Sequence, residues 1–254
     1  MASNNNPSYQ ESKQVAEQSR DTEWKLPSFG RGMYLGDFQL DLIHPQPQAD
    51  PGQVREGEEF LERLRTFLAE RVDPLAIEET GRLGDDVIAG LKELGALGMK
   101  IPKEYGGLGL TQVYYNRALA VTAAWHAAIS TLLSAHQSIG LPEPLKSYGS
   151  EEQKREWLPK VATDHISAFL LTEPDVGSDP ARMSATAIPT EDGTGYRING
   201  TKLWATNGVI ADVVVVMAVV PKSEHSDGGI TAFICPMDTE GITVTHRNEF
   251  MGLR

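Results

Sequence analysis

The spacing of apolar residues changes once along this chain, near Asp164, and this change constrains the fold more than any other feature. Before Asp164, apolar side chains recur at helical intervals, as in the run from Phe60 to Leu68. After it, short apolar segments alternate with turn residues, and the longest of them, Val213 to Val220, has the length of a strand. A helical block followed by a β block indicates an α+β chain, and an apolar content of 40% is enough to bury a sizeable core.

The helical block is predicted to occupy residues 55–164. Pro74 ends its first helix, and Ser150 with Gln153 forms a capping box at the start of its last helix. Between these two helices we expect one after Asp85 or Asp86 and a longer one from about Thr111 to Ser138.

Residues 1–54 precede this domain and are predicted to be an N-terminal arm without a core of its own. The first 25 or so residues are rich in Asn, Ser, Gln and Glu, a composition that indicates disorder. Residues 26–54 contain Pro, Gly and scattered aromatic residues, and we expect them to be extended over a surface.

Residues 165–254 are predicted to form the β domain. Asn199-Gly200 lies between two short apolar segments and is a strong hairpin signal. Turn residues separate the predicted strands, which are Ile166–Thr172, Ser184–Ile188, Tyr196–Asn199, Lys202–Thr206, Asp212–Val219, Thr231–Pro236 and Ile242–His246.

Composition excludes several classes of function. A formal net charge of −12 argues against nucleic-acid binding, which needs clustered Lys and Arg. Cys235 is the single cysteine, and the six histidines show no HxxxH or HExxH spacing, so we expect neither a disulfide within the chain nor a metal site. No apolar run approaches the ~18 residues of a membrane span. We expect a reducing, cytoplasmic location.

Three segments could carry chemistry. The loop from Leu171 to Pro180 combines Pro, Gly, small hydroxyls and acids, so it could present backbone N–H groups to a ligand, although composition alone favours a plain turn with Ser178 as a local cap. Trp204 is read as a mid-strand residue that either packs in the core or lines a flat aromatic ligand. His136 is most simply a residue at a helix C-terminus, where the dipole favours it. Taken singly, none of the three decides a function.

The order of these segments is more specific than any one of them. Helices, then LTEPDVGSD at 171–179, then YRINGTKLWATNG at 196–208, then a Val-rich strand closely resembles the acyl-CoA dehydrogenase family, over roughly Gly57 to Arg254. The runs SFGRGMYLG at 28–36 and AHQSIG at 135–140 are similar to its very-long-chain branch.

The resemblance implies a fold and a reaction. Family members have a helical domain, a mostly antiparallel, barrel-like middle β domain and a C-terminal four-helix bundle. They use FAD to convert a fatty acyl-CoA into its trans-2-enoyl-CoA, form homo-oligomers and pass electrons to an electron-transfer flavoprotein. The very-long-chain similarity suggests a long-chain acyl-CoA substrate.

The resemblance also assigns site residues. Phe169, Leu171 and Thr172 would contact the side of the flavin ring, with Thr172 donating to its pyrimidine end. Trp204 would pack on the ring and Thr206 would hydrogen-bond near its N5 atom. Ser178 would bind the cofactor's pyrophosphate or lie near the CoA portal and contact the substrate.

The end of the chain at Arg254 matches a point inside the family's β domain, so the four-helix bundle is expected to be absent. Because the family's catalytic base is a Glu of that bundle, no residue here is assigned as the base, and Glu173 in the flavin loop is not promoted to that role. We expect weak FAD binding and no turnover by this chain alone. The alternatives are an acyl-CoA oxidase, a non-catalytic acyl-CoA- or FAD-binding subunit completed by a partner chain, and an α+β domain without a ligand.

Overall fold

The computed structural model describes residues 27–46, 48–223 and 226–254. The disorder predicted for the first 25 residues lies outside the described residues. The predicted extended arm contains a short helix, α1 (Phe29–Tyr34), because the Ser28 side chain accepts a hydrogen bond from the Arg31 N–H and starts a helical turn.

The helical domain is built around α2 (Pro51–Arg71), which begins inside the last residues of the predicted arm. Asp50 caps it by accepting hydrogen bonds from the N–H groups of Gly52 (2.9 Å) and Gln53 (3.1 Å). One face of α2 is buried in the core of the domain. The other helices are α3 (Pro74–Thr80), α4 (Asp85–Glu93), α5 (Gln112–Trp125), α6 (Ala127–Ser134), α7 (Pro142–Tyr148) and α8 (Glu151–Thr163).

The long helix predicted from about Thr111 to Ser138 is interrupted. His126 has extended backbone angles (φ −157°, ψ 129°), and its Nδ1 accepts a hydrogen bond from the Ala128 N–H at 3.1 Å, which ends α5 and caps α6. After α6 the chain continues as a π-helical turn, Ala135–Ile139. A helical apolar period persists through such a break, so periodicity alone did not show it.

The β domain is a five-stranded mixed sheet that does not close into a barrel in the described part of the chain. Its strands are β1 (Ser167–Leu170), β2 (Thr186–Pro189), β3 (Tyr196–Asn199), β4 (Val213–Val220) and β5 (Gly229–Pro236). The prediction of a helical domain followed by a β domain is confirmed.

The sheet is less antiparallel than the resemblance implied. β2–β3 and β4–β5 are antiparallel, whereas β1 and β2 both run parallel to β4. The segment between β1 and β4 is long enough to provide the crossover that a parallel pair requires, and it carries the β2–β3 hairpin.

Two predicted strands, Lys202–Thr206 and Ile242–His246, do not form. The first fails because Trp204, at its centre, has left-handed backbone (φ 58°), far from the extended angles of a regular strand, and Asn207 (φ 69°) directly follows the segment. Asn199-Gly200 is therefore not a hairpin turn. The hairpin instead joins β2 and β3 through residues 190–195, where Gly193 has φ 69°.

The two domains share a core. Leu158 and Val161 of α8 pack against Val213 and Val215 of β4, so the helical domain covers one face of the central strand. This packing fixes where β1 and the loops that follow it lie relative to the helices. Among the described residues, no helix has the length and apolar character needed to cross a membrane.

Candidate flavin site

The first group of predicted site residues lies at the end of β1. Phe169 is in the strand, and Leu171 and Thr172 follow it directly; all three are half-buried. The chain then makes a tight turn, in which the Glu173 N–H donates to Val176 O (2.9 Å) and the Val176 N–H donates to Glu173 O (3.1 Å). Ser178 lies beyond this turn and is exposed, so it stands apart from the first three residues.

The second group is brought to the same place by a backbone hydrogen bond. The Leu203 N–H donates to Thr172 O at 2.8 Å, so Trp204 directly follows a residue bonded to Thr172. Thr206 comes two residues later and is exposed. The structure therefore places two segments, separated by about thirty positions in sequence, side by side.

Trp204 has an unusual combination of properties. Its φ of 58° costs roughly 1–2 kcal/mol for a residue of this size, yet 59% of its surface is exposed. Its indole contacts the ring of Phe250, with centroids 5.8 Å apart and planes tilted by 43°. The mid-strand interpretation of Trp204 is wrong. With 59% of its surface exposed, Trp204 is also not a core residue in the described part of the chain.

Asn207 anchors this loop to the rest of the molecule. Its Nδ2 donates to Leu132 O of α6 (3.0 Å) and to Ser167 O of β1 (3.3 Å). Asn is one of the few residues that adopts φ near 69° readily, so it provides both the bend and the attachment. The loop is thus held at both ends, by Leu203 and by Asn207.

A buried ion pair lies directly behind the site, and sequence reasoning missed it. Each carboxylate oxygen of Glu173 accepts two hydrogen bonds: one from the Ser184 N–H (2.7 Å) and hydroxyl (2.6 Å), the other from the Ala185 N–H (3.0 Å) and Lys202 Nζ (2.7 Å). Burial raises the pKa of Glu173, but the hydrogen bonds from Lys202, Ser184 and Ala185 outweigh it and lower the pKa to about 2. The sequence contained one indication of this pair: Glu173 lies in the motif at 171–179 and Lys202 in the motif at 196–208.

His136 is a structural residue. It is fully buried; its Nδ1 accepts from the Ser167 N–H (3.0 Å) and its Nε2 donates to Val161 O (2.9 Å). Burial lowers its pKa to about 4, so the imidazole is neutral at pH 7. The interpretation that the helix dipole favours this residue is therefore wrong, because a neutral, buried ring gains little from the dipole.

The structure thus brings several of the predicted site residues into two adjoining segments. Their members are a half-exposed indole and the hydroxyl residues Thr172 and Thr206, whereas Phe169 packs against the core between the domains and Leu171 against the core of the β domain. No group of three or more His, Cys, Asp or Glu that could hold a metal ion occurs among residues 27–46, 48–223 and 226–254.

Comparison with known proteins gives a consistent result. The family model of the acyl-CoA dehydrogenase N-terminal domain matches residues 55–165, and that of the acyl-CoA dehydrogenase middle domain matches residues 168–254. Probable acyl-CoA dehydrogenase FadE10 of Mycobacterium tuberculosis is 52% identical over 254 residues, which is all of this chain and 39% of that protein. Very long-chain specific acyl-CoA dehydrogenase of Rattus norvegicus is 36% identical over 233 residues, 89% of this chain and 35% of that protein.

Among solved structures, an acyl-CoA dehydrogenase from Bacillus anthracis in complex with FAD superimposes with a TM-score of 0.71 at 28% identity, covering 87% of this chain and 37% of that one. The chain thus spans about two fifths of the length of the curated relatives it matches. Since the two family models together cover most of its residues, this chain belongs to the acyl-CoA dehydrogenase family.

Proposed function

We propose that the protein carrying this chain is an FAD-dependent acyl-CoA dehydrogenase that oxidises a long-chain fatty acyl-CoA to the trans-2-enoyl-CoA. The observation that supports this most strongly is the pairing of the two loops, which puts the strained, half-exposed Trp204 next to Thr172. The long-chain preference is supported by the similarity to the rat very long-chain enzyme. A cytoplasmic location and a homo-oligomeric state remain predictions.

The residues present fit a flavin. Trp204 offers a flat face with unusual exposure, Thr172 and Thr206 offer hydroxyls for polar ring edges, and Phe169 and Leu171 offer apolar contact. Ser178, exposed beyond the closed turn, is in our proposal the residue that contacts the pyrophosphate or the CoA portal. When bound, FAD supplies the oxidising power of the reaction.

The chain's own contribution to the chemistry is to bind and orient. Glu173 is not the base that removes the substrate's α-proton, since both of its oxygens are engaged and a pKa of about 2 leaves it without basicity at pH 7. His136 is buried and committed to Ser167 and Val161, so it does not serve either. As the resemblance to the family implies, we propose that the base is a Glu outside these residues. We also propose an electron-transfer flavoprotein as the acceptor.

The proposal is tested by titrating FAD into the purified chain and following flavin fluorescence. We expect saturable binding that is at least roughly tenfold weaker in Trp204→Ala, as expected when a stacking face worth about 1.4 kcal/mol or more is lost. Tyr148→Ala is the control, because Tyr148 is an exposed aromatic residue (91%) on α7. No binding, or equal binding by Trp204→Ala and the parent, would contradict the proposed site.

Substrate and acceptor are tested in the full-length protein. Anaerobic palmitoyl-CoA should reduce its flavin faster than butyryl-CoA does, and a preference for butyryl-CoA would contradict the long-chain proposal. Rapid reoxidation of the reduced flavin by O₂ alone would favour an oxidase over a dehydrogenase. In the isolated chain we expect no reduction of the flavin.

A further inference from the structure

The Glu173–Lys202 pair differs in burial from the other ion pairs that the described residues form. The side chains of Glu173 and Lys202 are 1% and 7% exposed. Every other pair in the described residues has at least one side chain that is 39% exposed or more. Burying two charges carries a large desolvation penalty, so a buried ion pair adds little to the net stability of a fold. The presence of this pair therefore calls for an explanation other than stability.

The contacts of the pair indicate that reason, because they converge on the two segments of the candidate flavin site. Glu173 directly follows Thr172, and Lys202 directly precedes Leu203, whose N–H is bonded to Thr172 O. Lys202 Nζ also donates to Leu171 O at 3.1 Å. The ion pair and the Leu203 bond therefore join the same two stretches of backbone at neighbouring positions.

Lys202 of this pair also lies two residues before Trp204, whose backbone is strained. Trp204 must stay at φ 58° against the preference of its own backbone, and it does so only if its neighbours are fixed. On one side they are fixed by Lys202 and Leu203, and on the other by Asn207, which is bonded to Leu132 O and Ser167 O. Without Lys202, the first of these attachments would depend on a single backbone hydrogen bond.

We infer that Glu173 and Lys202 are positioning residues, which hold Thr172 and Trp204 in register and keep Trp204 in its left-handed conformation without touching the cofactor. The inference rests on the proposed function for its purpose, but its structural content can be measured without flavin. The depressed pKa of Glu173 agrees with it, since the carboxylate stays charged across the whole working range of pH.

The test uses Lys202→Met and the milder, isosteric Glu173→Gln in the 254-residue chain. Amide hydrogen exchange at Leu203, Ser184 and Ala185 is measured first, without FAD, and FAD affinity second. We expect exchange at Leu203 to accelerate at least roughly tenfold in both variants, which corresponds to about 1.4 kcal/mol of local stability. Affinity for FAD should fall by a similar factor while the far-UV circular dichroism of the helical domain is retained.

The matched controls are the single variants Lys103→Met and Glu56→Gln. Lys103 and Glu56 form an ion pair of the same residue types with the same N–O distance, 2.7 Å, but their side chains are 62% and 45% exposed. Both readouts should change less than about twofold, as expected for an exposed pair.

A further comparison isolates positioning from general packing. In a Trp204→Gly background the backbone adopts φ 58° without strain, so Lys202→Met should accelerate exchange at Leu203 less than it does beside Trp204. Equal acceleration in both backgrounds would overturn the inference, as would unchanged exchange at Leu203 in both single variants. If the unmutated chain does not bind FAD, the proposed flavin site fails, whereas the exchange results still decide the positioning role.

Discussion

Two buried polar clusters flank β1, and they solve different problems. At its start, the neutral His136 accepts from the Ser167 N–H and donates to Val161 O. Beyond its end, the charged Glu173 and Lys202 hold the loops that carry Thr172 and Trp204. Both clusters satisfy their hydrogen bonds, yet only the second includes ions.

The difference shows which cluster serves stability. A neutral hydrogen bond to backbone contributes about 1 kcal/mol, so His136 joins the helices to the sheet at little cost. Removing two ions from water costs several kcal/mol per ion, which the Coulomb attraction and the hydrogen bonds only roughly offset. The first cluster therefore stabilises the junction between the domains. The second keeps a particular loop geometry, at the place where an aromatic ring is left exposed.

The largest expected effect is that of Lys202→Met, which leaves the Glu173 carboxylate buried without its cation. We expect the free energy of unfolding to fall by about 3–5 kcal/mol at pH 7. Urea unfolding measures it, with Lys103→Met as the exposed control, expected within about 0.5 kcal/mol. A loss below 1 kcal/mol for Lys202→Met would remove the distinction between a charged and a neutral cluster.

The two clusters should also differ in their pH windows. The pKa of His136 is lowered from 6.5 to about 4, so the unfolded chain binds more protons and stability falls as pH drops from 6.5 towards 4. The pKa of Glu173 is lowered from 4.5 to about 2, so its contribution is lost only between pH 4.5 and 2.

From pH 7 to 4.5, His136 should therefore account for a loss of about 2 kcal/mol in the free energy of unfolding. Urea unfolding at the two pH values checks this. The variant His136→Gln should lose that pH dependence, and a variant at the exposed His246 should keep it. If His136→Gln retains the full pH dependence, another group is responsible for it.

Much of this fold could be predicted from the sequence, because periodicity and turn residues report local preferences. The helical block, the switch near Asp164 and the Val213–Val220 strand all form. The break at His126 escaped prediction because it depends on a side chain capping α6, which leaves the apolar period unchanged.

The site was predictable in part. Resemblance singled out Thr172 and Trp204, and the structure brings them together through Leu203. The resemblance could not show that Trp204 has a left-handed backbone or that Lys202 reaches Glu173, because both depend on contacts between residues about thirty positions apart. The short apolar segment at 202–206, between two turn signals, predicts a strand. Tertiary anchoring by Asn207 overrode that local preference.

Asn207 connects the two clusters, since it bonds to Ser167 O beside His136 and belongs to the loop of Trp204. Asn207→Ala should lower the free energy of unfolding by about 1–2 kcal/mol, through lost hydrogen bonds and the cost of φ 69°. Asn207→Gly loses the same bonds but tolerates the angle, so it should be the less damaging variant in urea unfolding. If Gly is worse than Ala, the left-handed backbone is not what Asn207 supplies.

The smallest effect on stability should come from substituting Trp204, the exposed aromatic residue that we propose contacts the flavin. Trp204→Gly releases roughly 1–2 kcal/mol of backbone strain but loses the contact with Phe250, worth about 0.5–1.5 kcal/mol. The free energy of unfolding should therefore stay within about 1 kcal/mol of the parent, while FAD affinity falls at least roughly tenfold. Trp204→Phe, which keeps a ring and the strain, should bind FAD better than Trp204→Gly at similar stability. A loss of stability above 2 kcal/mol in Trp204→Gly would make Trp204 a packing residue, and the loop cluster would then serve stability, as the His136 cluster does.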